Sequence, residues 1–134
     1  MQVKDVMSQH PKYLDSSVTI LEVAKAMREN GTGFEPLVND NKVAGVVTDR
    51  DIIVRAIAEG KGLDEKASSI ATDKALYTFE TESVDAVIQN MAKEKVQRLL
   101  VLNNAEEKDL VGIVTIGDVA DHCSDDSLAN KVVN

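Results

Sequence analysis

The sequence predicts an α/β (α+β) fold built from two tandem β-α-β-β-α repeats related by a pseudo-twofold axis. Three observations predict it. The stretch Gly45-Val46-Val47-Thr48-Asp49-Arg50-Asp51 has a twin in Gly112-Ile113-Val114-Thr115-Ile116-Gly117-Asp118, 67 residues further on. Upstream the copies align at an offset of 64, with Ser8 on Thr72, Ile20 on Val84, Val23 on Val87, Met27 on Met91 and Val38 on Leu102. The three extra residues of the second copy fall in the polar loop Asn103-Asn104-Ala105-Glu106-Glu107-Lys108, where a surface connection tolerates insertion. Helical and strand periodicities then follow one another in the same order in both copies. The division this predicts is repeat 1 over 1–60, a linker over 61–66, repeat 2 over 67–126 and a tail over 127–134.

In the first copy, Lys12-Tyr13-Leu14-Asp15 is a short extended piece. Ser17 or Thr19 starts a helix, with Glu22 placed to close a capping box on Thr19. Ile20, Val23, Ala24 and Met27 recur at helical spacing, and Asn30-Gly31 stops the element. Pro36 to Val38 and Val43 to Val47 are strands joined by the turn Asn39-Asp40-Asn41. A second helix runs from Asp49 to Ala58. Its apolar stripe of Ile52, Ile53, Val54, Ala56 and Ile57 is too broad for packing on one side, which predicts a second covered surface on another subunit. The second copy repeats the plan with Leu76 to Phe79, Ser83 to Lys93, Arg98 to Leu102, Asp109 to Val114 and Gly117 to His122. About 60 residues bury too little apolar surface to stand comfortably alone, so the two copies are expected to share a core.

Composition narrows the function. Among 134 residues, 23 Asp and Glu oppose 15 Lys and Arg, a formal net charge of −8. Docking on nucleic acid or anionic lipid needs a clustered basic surface, which this balance argues against. No apolar run approaches the roughly 20 residues of a membrane span, and the first residues carry neither a signal-peptide core nor an Arg-rich amphipathic pattern. One cysteine, Cys123, permits no internal disulfide, which makes a reducing cytoplasm the expected compartment. His10, His122 and Cys123 lack metal-ligand spacing, and Cys123 has no visible base. Gly31-Thr32-Gly33 lacks the Gly-Lys-Ser/Thr ending of a phosphate loop and reads as a helix stop and turn. No catalytic or metal residue is expected.

The chemistry concentrates where each apolar strand meets its following helix. Thr48 with Asp51, and Thr115 with Asp118, stand at N-cap and third helical positions, the spacing of a capping box. The same corner is an anion site, because unpaired N–H groups and the helix dipole point outward. A phosphate could rest there while the carboxylate takes a ribose diol. One residue can cap and bind, so the two readings stand together.

In this order, Asp5-Val6-Met7-Ser8, the helix through Met27, Pro36-Leu37-Val38 and Gly45 to Asp51 resemble a CBS domain. Ser69 to Thr72, Met91, Arg98 to Leu102 and Gly112 to Asp118 repeat the likeness, so the chain resembles a CBS pair, or Bateman module, over nearly its whole length. The resemblance implies a regulatory module that binds AMP, ADP, ATP or S-adenosylmethionine in clefts between the repeats. In the family pattern Gly-x-x-(Thr/Ser)-x-x-Asp, it assigns Asp51 and Asp118 to ribose hydroxyls and Thr48 and Thr115 to the ribose or phosphate. It places Ser8, Pro11, Lys12 and Tyr13, and Thr72, Lys74 and Ala75, along the adenine cavity. Arg98 lies where many family members carry a phosphate-facing cation, while the first copy has Gly33-Phe34 there and carries Arg50 instead. These charges predict one strong site on Thr48, Arg50 and Asp51 and a second, weaker one. Glu35 departs from the apolar residue usual before the Pro-Leu-Val strand.

The expected function is therefore a ligand sensor without chemistry of its own and with no required cofactor, acting as a homodimer on an unknown protein in trans. A pair that serves as scaffold or dimerisation module without ligand is the competing expectation.

Overall fold

The structure, a computed structural model, describes residues 1–72 and 77–122. In chain order its strands are β1 (Ser8–Gln9), β2 (Leu14–Asp15), β3 (Phe34–Asn39), β4 (Lys42–Thr48), β5 (Tyr77–Phe79), β6 (Arg98–Leu102) and β7 (Leu110–Thr115). Its helices are α1 (Ile20–Asn30), α2 (Asp49–Asp51, continuing as a wider turn through Ile52–Ile57), α3 (Val84–Glu94) and α4 (Ile116–His122). Single 3₁₀ turns at Val3–Asp5 and Ala67–Ser69 open the two copies. Lys74, Ala75, Cys123 and the tail lie outside the described residues.

The local signals act as the sequence predicts. Thr19 caps α1 by accepting from the Glu22 amide at 3.2 Å. The reciprocal half of the box is replaced by the Thr19 hydroxyl, which donates to Glu22 Oε1 at 3.3 Å. Gly31 ends α1 at φ 65°, and its counterpart Lys95 ends α3 at φ 57°. Asp40 and Asn41 take φ 52° and 66°, the left-handed pair that a tight hairpin requires. In the second copy the longer loop is held by Asn103 Oδ1, which accepts from the amides of Asn104 and Asp109. The second helix differs from a plain α-helix. Its Ala58 N–H donates to Ile53 O at 2.9 Å, an i→i−5 bond that widens the turn.

The chain divides into two compact units, and these do not coincide with the sequence repeats. One unit joins Met1–Pro11 to the second copy; the other is Lys12–Ala75. In the first, the sheet order is β1-β7-β6-β5, with β1 antiparallel to β7 and β5 parallel to β6. Its core comprises Val84, Val87, Ile88 and Met91 of α3, Leu99, Val101 and Val114 of the sheet and Val119 of α4, completed by Val3 and Val6. In the other unit the order is β2-β3-β4, and Ile20, Val23, Met27, Leu37, Val47 and Ala56 are completed by Ala67 and Ile70. Val3 and Ala67, and Val6 and Ile70, are equivalent at the 64-residue offset. Each copy's leading segment thus fills the core of the other copy.

Glycine permits the crossing. A Cβ on Gly112 would stand 2.5 Å from Met7 Sδ and 2.9 Å from Ser8 O, and one on Gly45 would stand 3.1 Å from Ala71 Cβ and 3.2 Å from Thr72 O. Each motif glycine therefore admits the neighbouring backbone at the sheet edge.

Candidate functional site

Both hairpins end on a threonine that opens a helix, and the two corners share one geometry. The Thr48 N–H donates to Asp51 Oδ2 at 2.9 Å, and Thr48 Oγ1 accepts from the Asp51 N–H at 3.1 Å. The Thr115 N–H donates to Asp118 Oδ2 at 2.9 Å, and Thr115 Oγ1 accepts from the Asp118 N–H at 3.0 Å. These are closed capping boxes, each worth about 1 kcal/mol to its helix start. All four side chains are half-buried. The box also fixes the rotamer of each aspartate, whose carboxylate carries more acceptor positions than the single amide uses. A rigid carboxylate beside a hydroxyl can receive the two hydroxyls of a vicinal diol.

Strand pairing decides which other candidates join each corner. Thr72 is bridged to Val46, two residues before Thr48, through bonds of 3.0 and 2.9 Å. Ser8 stands opposite Ile113, two residues before Thr115. So Thr72 belongs with Thr48 and Asp51, whereas Ser8 belongs with Thr115 and Asp118. The stretch Ser8–Tyr13 is divided: half-buried Pro11 stays with Ser8, and exposed Lys12 and Tyr13 open the other unit. Lys12 Nζ reaches Asn30 Oδ1 at 3.3 Å, at the end of α1.

The two candidate arginines fall one in each unit, on different elements. Arg50 is exposed in the first turn of α2, and the residue opposite Thr48 is Phe34. Arg98 is the residue opposite Thr115 across the β6–β7 pair. Two features of the Thr48 corner escape the sequence reading. The Asp49 N–H donates to Gly33 O at 2.9 Å while Asp49 Oδ1 accepts from the Arg50 N–H at 2.8 Å. The Asp49 carboxylate so placed leaves 2.7 Å between its Oδ2 and a Cβ added at Gly33. The signal was present in the alignment, where Gly33 and Asp49 face Gln97 and Ile116 in the other copy.

Glu35 is 2% exposed on β3 where the second copy has Leu99. Its Oε1 accepts from Thr32 Oγ1 at 2.7 Å and Asn30 Nδ2 at 3.2 Å, so the carboxylate is tied to the turn that leaves α1. The hydrogen bonds make a buried carboxylate tenable in a position otherwise apolar. Among the described residues no group of three or more His, Cys, Asp and Glu gathers to hold a metal, and no helix is long and apolar enough to cross a membrane.

Comparison with known proteins agrees with this architecture. Hypoxic response protein 1 of Mycobacterium tuberculosis is 30% identical over 133 residues, 96% of this chain and 90% of its own length. The structure of Hypoxic Response Protein I with two coordinated zinc ions superposes with a TM-score of 0.81, covering 92% of this chain and 99% of that one. A CBS domain protein from Pyrobaculum aerophilum complexed with AMP is 26% identical, with a TM-score of 0.78 over 99% of this chain and 98% of that one. A CBS domain pair in complex with 5′-methylthioadenosine and S-adenosyl-L-methionine is 30% identical, with a TM-score of 0.75 over 90% and 94%. The family profile of the CBS domain matches twice, over residues 3–57 and 67–125. Two such matches on a twice-built strand–helix corner establish that this chain belongs to the CBS domain family, as a tandem pair.

Proposed function

We propose that this chain is a cytoplasmic sensor that binds an adenosyl ligand at the Thr48–Asp51 and Thr115–Asp118 corners and passes its occupancy to a separate protein. The observation that carries the reading is the closed Thr–Asp box, built twice with the same bonds at 2.9 Å and 3.0 to 3.1 Å. The ribose hydroxyls would donate to Asp51 or Asp118, beside the Thr48 or Thr115 hydroxyl. Related pairs that bind AMP, or 5′-methylthioadenosine and S-adenosyl-L-methionine, support the ligand class. The work is binding rather than catalysis, with no cofactor required. The ligand shifts the protein between shapes only by its difference in affinity for them.

Calorimetric titration with AMP, ADP, ATP and S-adenosylmethionine tests the reading. Binding is expected, and it should be lost in the double variant Asp51→Ala/Asp118→Ala. Undiminished binding by that folded variant would overturn the assignment. A ligand-free scaffold is the second reading, favoured by the internal hydrogen bonds that already occupy the Thr48 corner. A melting temperature unmoved by every adenosyl compound would select it, because a ligand of the folded state must raise that temperature.

The outward face of α2 supports self-association. Ile53, Val54 and Ile57 are 60%, 45% and 62% exposed, while Ala56 of the same helix is fully buried. A second copy covering these three side chains would account for the broad apolar stripe. Light scattering of Ile53→Glu/Ile57→Glu should show a smaller species than the wild-type chain; equal masses would refute the contact.

A further inference from the structure

The two corners share a carboxylate and a hydroxyl, yet they offer a ligand's 5′ group different surroundings. At the Thr48 corner the first three helical amides are all taken inside the unit. Asp49 N–H donates to Gly33 O, Arg50 N–H to Asp49 Oδ1 and Asp51 N–H to Thr48 Oγ1. The Asp49 carboxylate lies beside Gly33, its Oδ2 2.7 Å from where a Cβ there would stand. Asp49 and Asp51 stand here against Arg50 and against Arg55, whose guanidinium donates to Ala71 O beside Thr72 at 3.4 Å, so the formal charges balance, and the cross-strand neighbour of Thr48 is Phe34.

At the other corner Ile116 N–H donates to Gln97 O and Asp118 N–H to Thr115 Oγ1. The position of Asp49 is filled by Ile116, and Arg98 lies opposite Thr115, so Asp118 and Arg98 balance in charge. A phosphate dianion brought to the Thr48 corner meets the Asp49 carboxylate, which has no counterpart in the other copy, and three helical amides that are already bonded. A neutral or cationic 5′ group meets no such penalty.

We propose that Asp49 is a specificity-determining residue that makes the Thr48–Asp51 corner reject a 5′-phosphate and accept an adenosyl ligand whose 5′ substituent is neutral or cationic. The inference rests on the adenosyl-binding reading above. It changes the meaning of Arg50, whose charge is offset by its neighbour instead of being available to a polyphosphate.

The test is calorimetry on the full chain carrying Asp118→Ala, which isolates the Thr48 corner, with AMP and 5′-methylthioadenosine as probes. The second variant adds Asp49→Asn, whose side-chain oxygen still accepts from the Arg50 amide, so only the charge is removed. With Asp49 present, 5′-methylthioadenosine should bind about tenfold more tightly than AMP. Asp49→Asn should tighten AMP by about fivefold to tenfold, the scale of one charge pair at about 4 Å in water, the medium that an exposed carboxylate faces, and move 5′-methylthioadenosine by less than about twofold. The preference should also narrow between low salt and roughly 1 M salt, where screening is short-ranged. An AMP affinity equal to that of the thioether, or a ratio unmoved by Asp49→Asn, overturns the inference alone. Binding of neither probe to the isolated corner, or to the chain with both aspartates intact, overturns the adenosyl reading and the inference with it.

Discussion

Replacing Gly112 by alanine tests whether the amino-terminal segment crosses to the second copy. The new Cβ would lie 2.5 Å from Met7 Sδ, 2.9 Å from Ser8 O and 3.1 Å from Met7 Cγ. The methionine end can swing away, but Ser8 O is backbone of β1, paired in register with β7. Relief therefore requires the strand to move, and overpacking of this kind costs about 1–3 kcal/mol. Alanine returns about 0.5–1 kcal/mol, because glycine loses more chain entropy on folding. The expected net loss is about 1–2 kcal/mol. Gly45→Ala provides the internal control. Its nearest contacts, 3.1 Å to Ala71 Cβ and 3.2 Å to Thr72 O, are longer, and although Thr72 O is likewise held by the Val46 N–H the shift needed is only a few tenths of an ångström, so its net loss should be smaller than that of Gly112→Ala. Urea unfolding of the two variants and of Gly112→Ala/Met7→Ala measures the terms. The cycle should recover the part due to sulfur and leave the part due to Ser8 O. Gly112→Ala as stable as the wild type, or less damaging than Gly45→Ala, would refute the crossing.

Ile70→Ala should cost about 2–5 kcal/mol, the usual range for a buried isoleucine, although Ile70 belongs in sequence to the second copy. Native-state hydrogen exchange should show the larger loss of protection across α1, β3 and β4, whose core it fills; a larger loss across α3 and β6 would contradict the packing. Lys95→Gly should stabilise by about 0.5–1 kcal/mol in thermal melts, since it relieves a left-handed lysine at φ 57°. Gly31→Ala should lose a similar amount even though the added carbon meets nothing within 4 Å, and no loss there would refute the backbone argument. Asp15 is held below its ordinary value near 3.8 by the Ser17 hydroxyl first, then by the Ser17 amide, with Lys66 adding a smaller pull. Its contribution is thus present above that value and lost as pH falls through the lower folded value. Asp15→Asn should flatten the acid limb of a stability profile below about pH 4, and an unchanged limb would show that the Ser17 bonds carry no linkage.

The sequence alone determined the local grammar of this protein. The twin Gly–Thr–Asp runs, the caps at Thr19, Thr48 and Thr115, the Gly31 stop and the Asp40-Asn41 turn are all short-range preferences, and each acts where the residues place it. The capping half of the corner chemistry was equally legible, because a Thr and an Asp three residues apart at a helix start can meet by local geometry alone. Four matters were settled only by the tertiary structure. Asp49 became a neighbour of Gly33, and the widened turn over Ile52–Ile57 set which apolar residues of α2 face outward. The buried end of β3 accepted Glu35 because Thr32 and Asn30 were there to donate to it. Above all, Val3 and Val6 entered the second copy's core while Ala67 and Ile70 entered the first. These segments are aligned, short and similarly apolar, so residue patterns do not distinguish a copy that closes on itself from one that exchanges its leading segment. That choice belongs to the path of the whole chain, which alone determines the sheet edge each segment reaches.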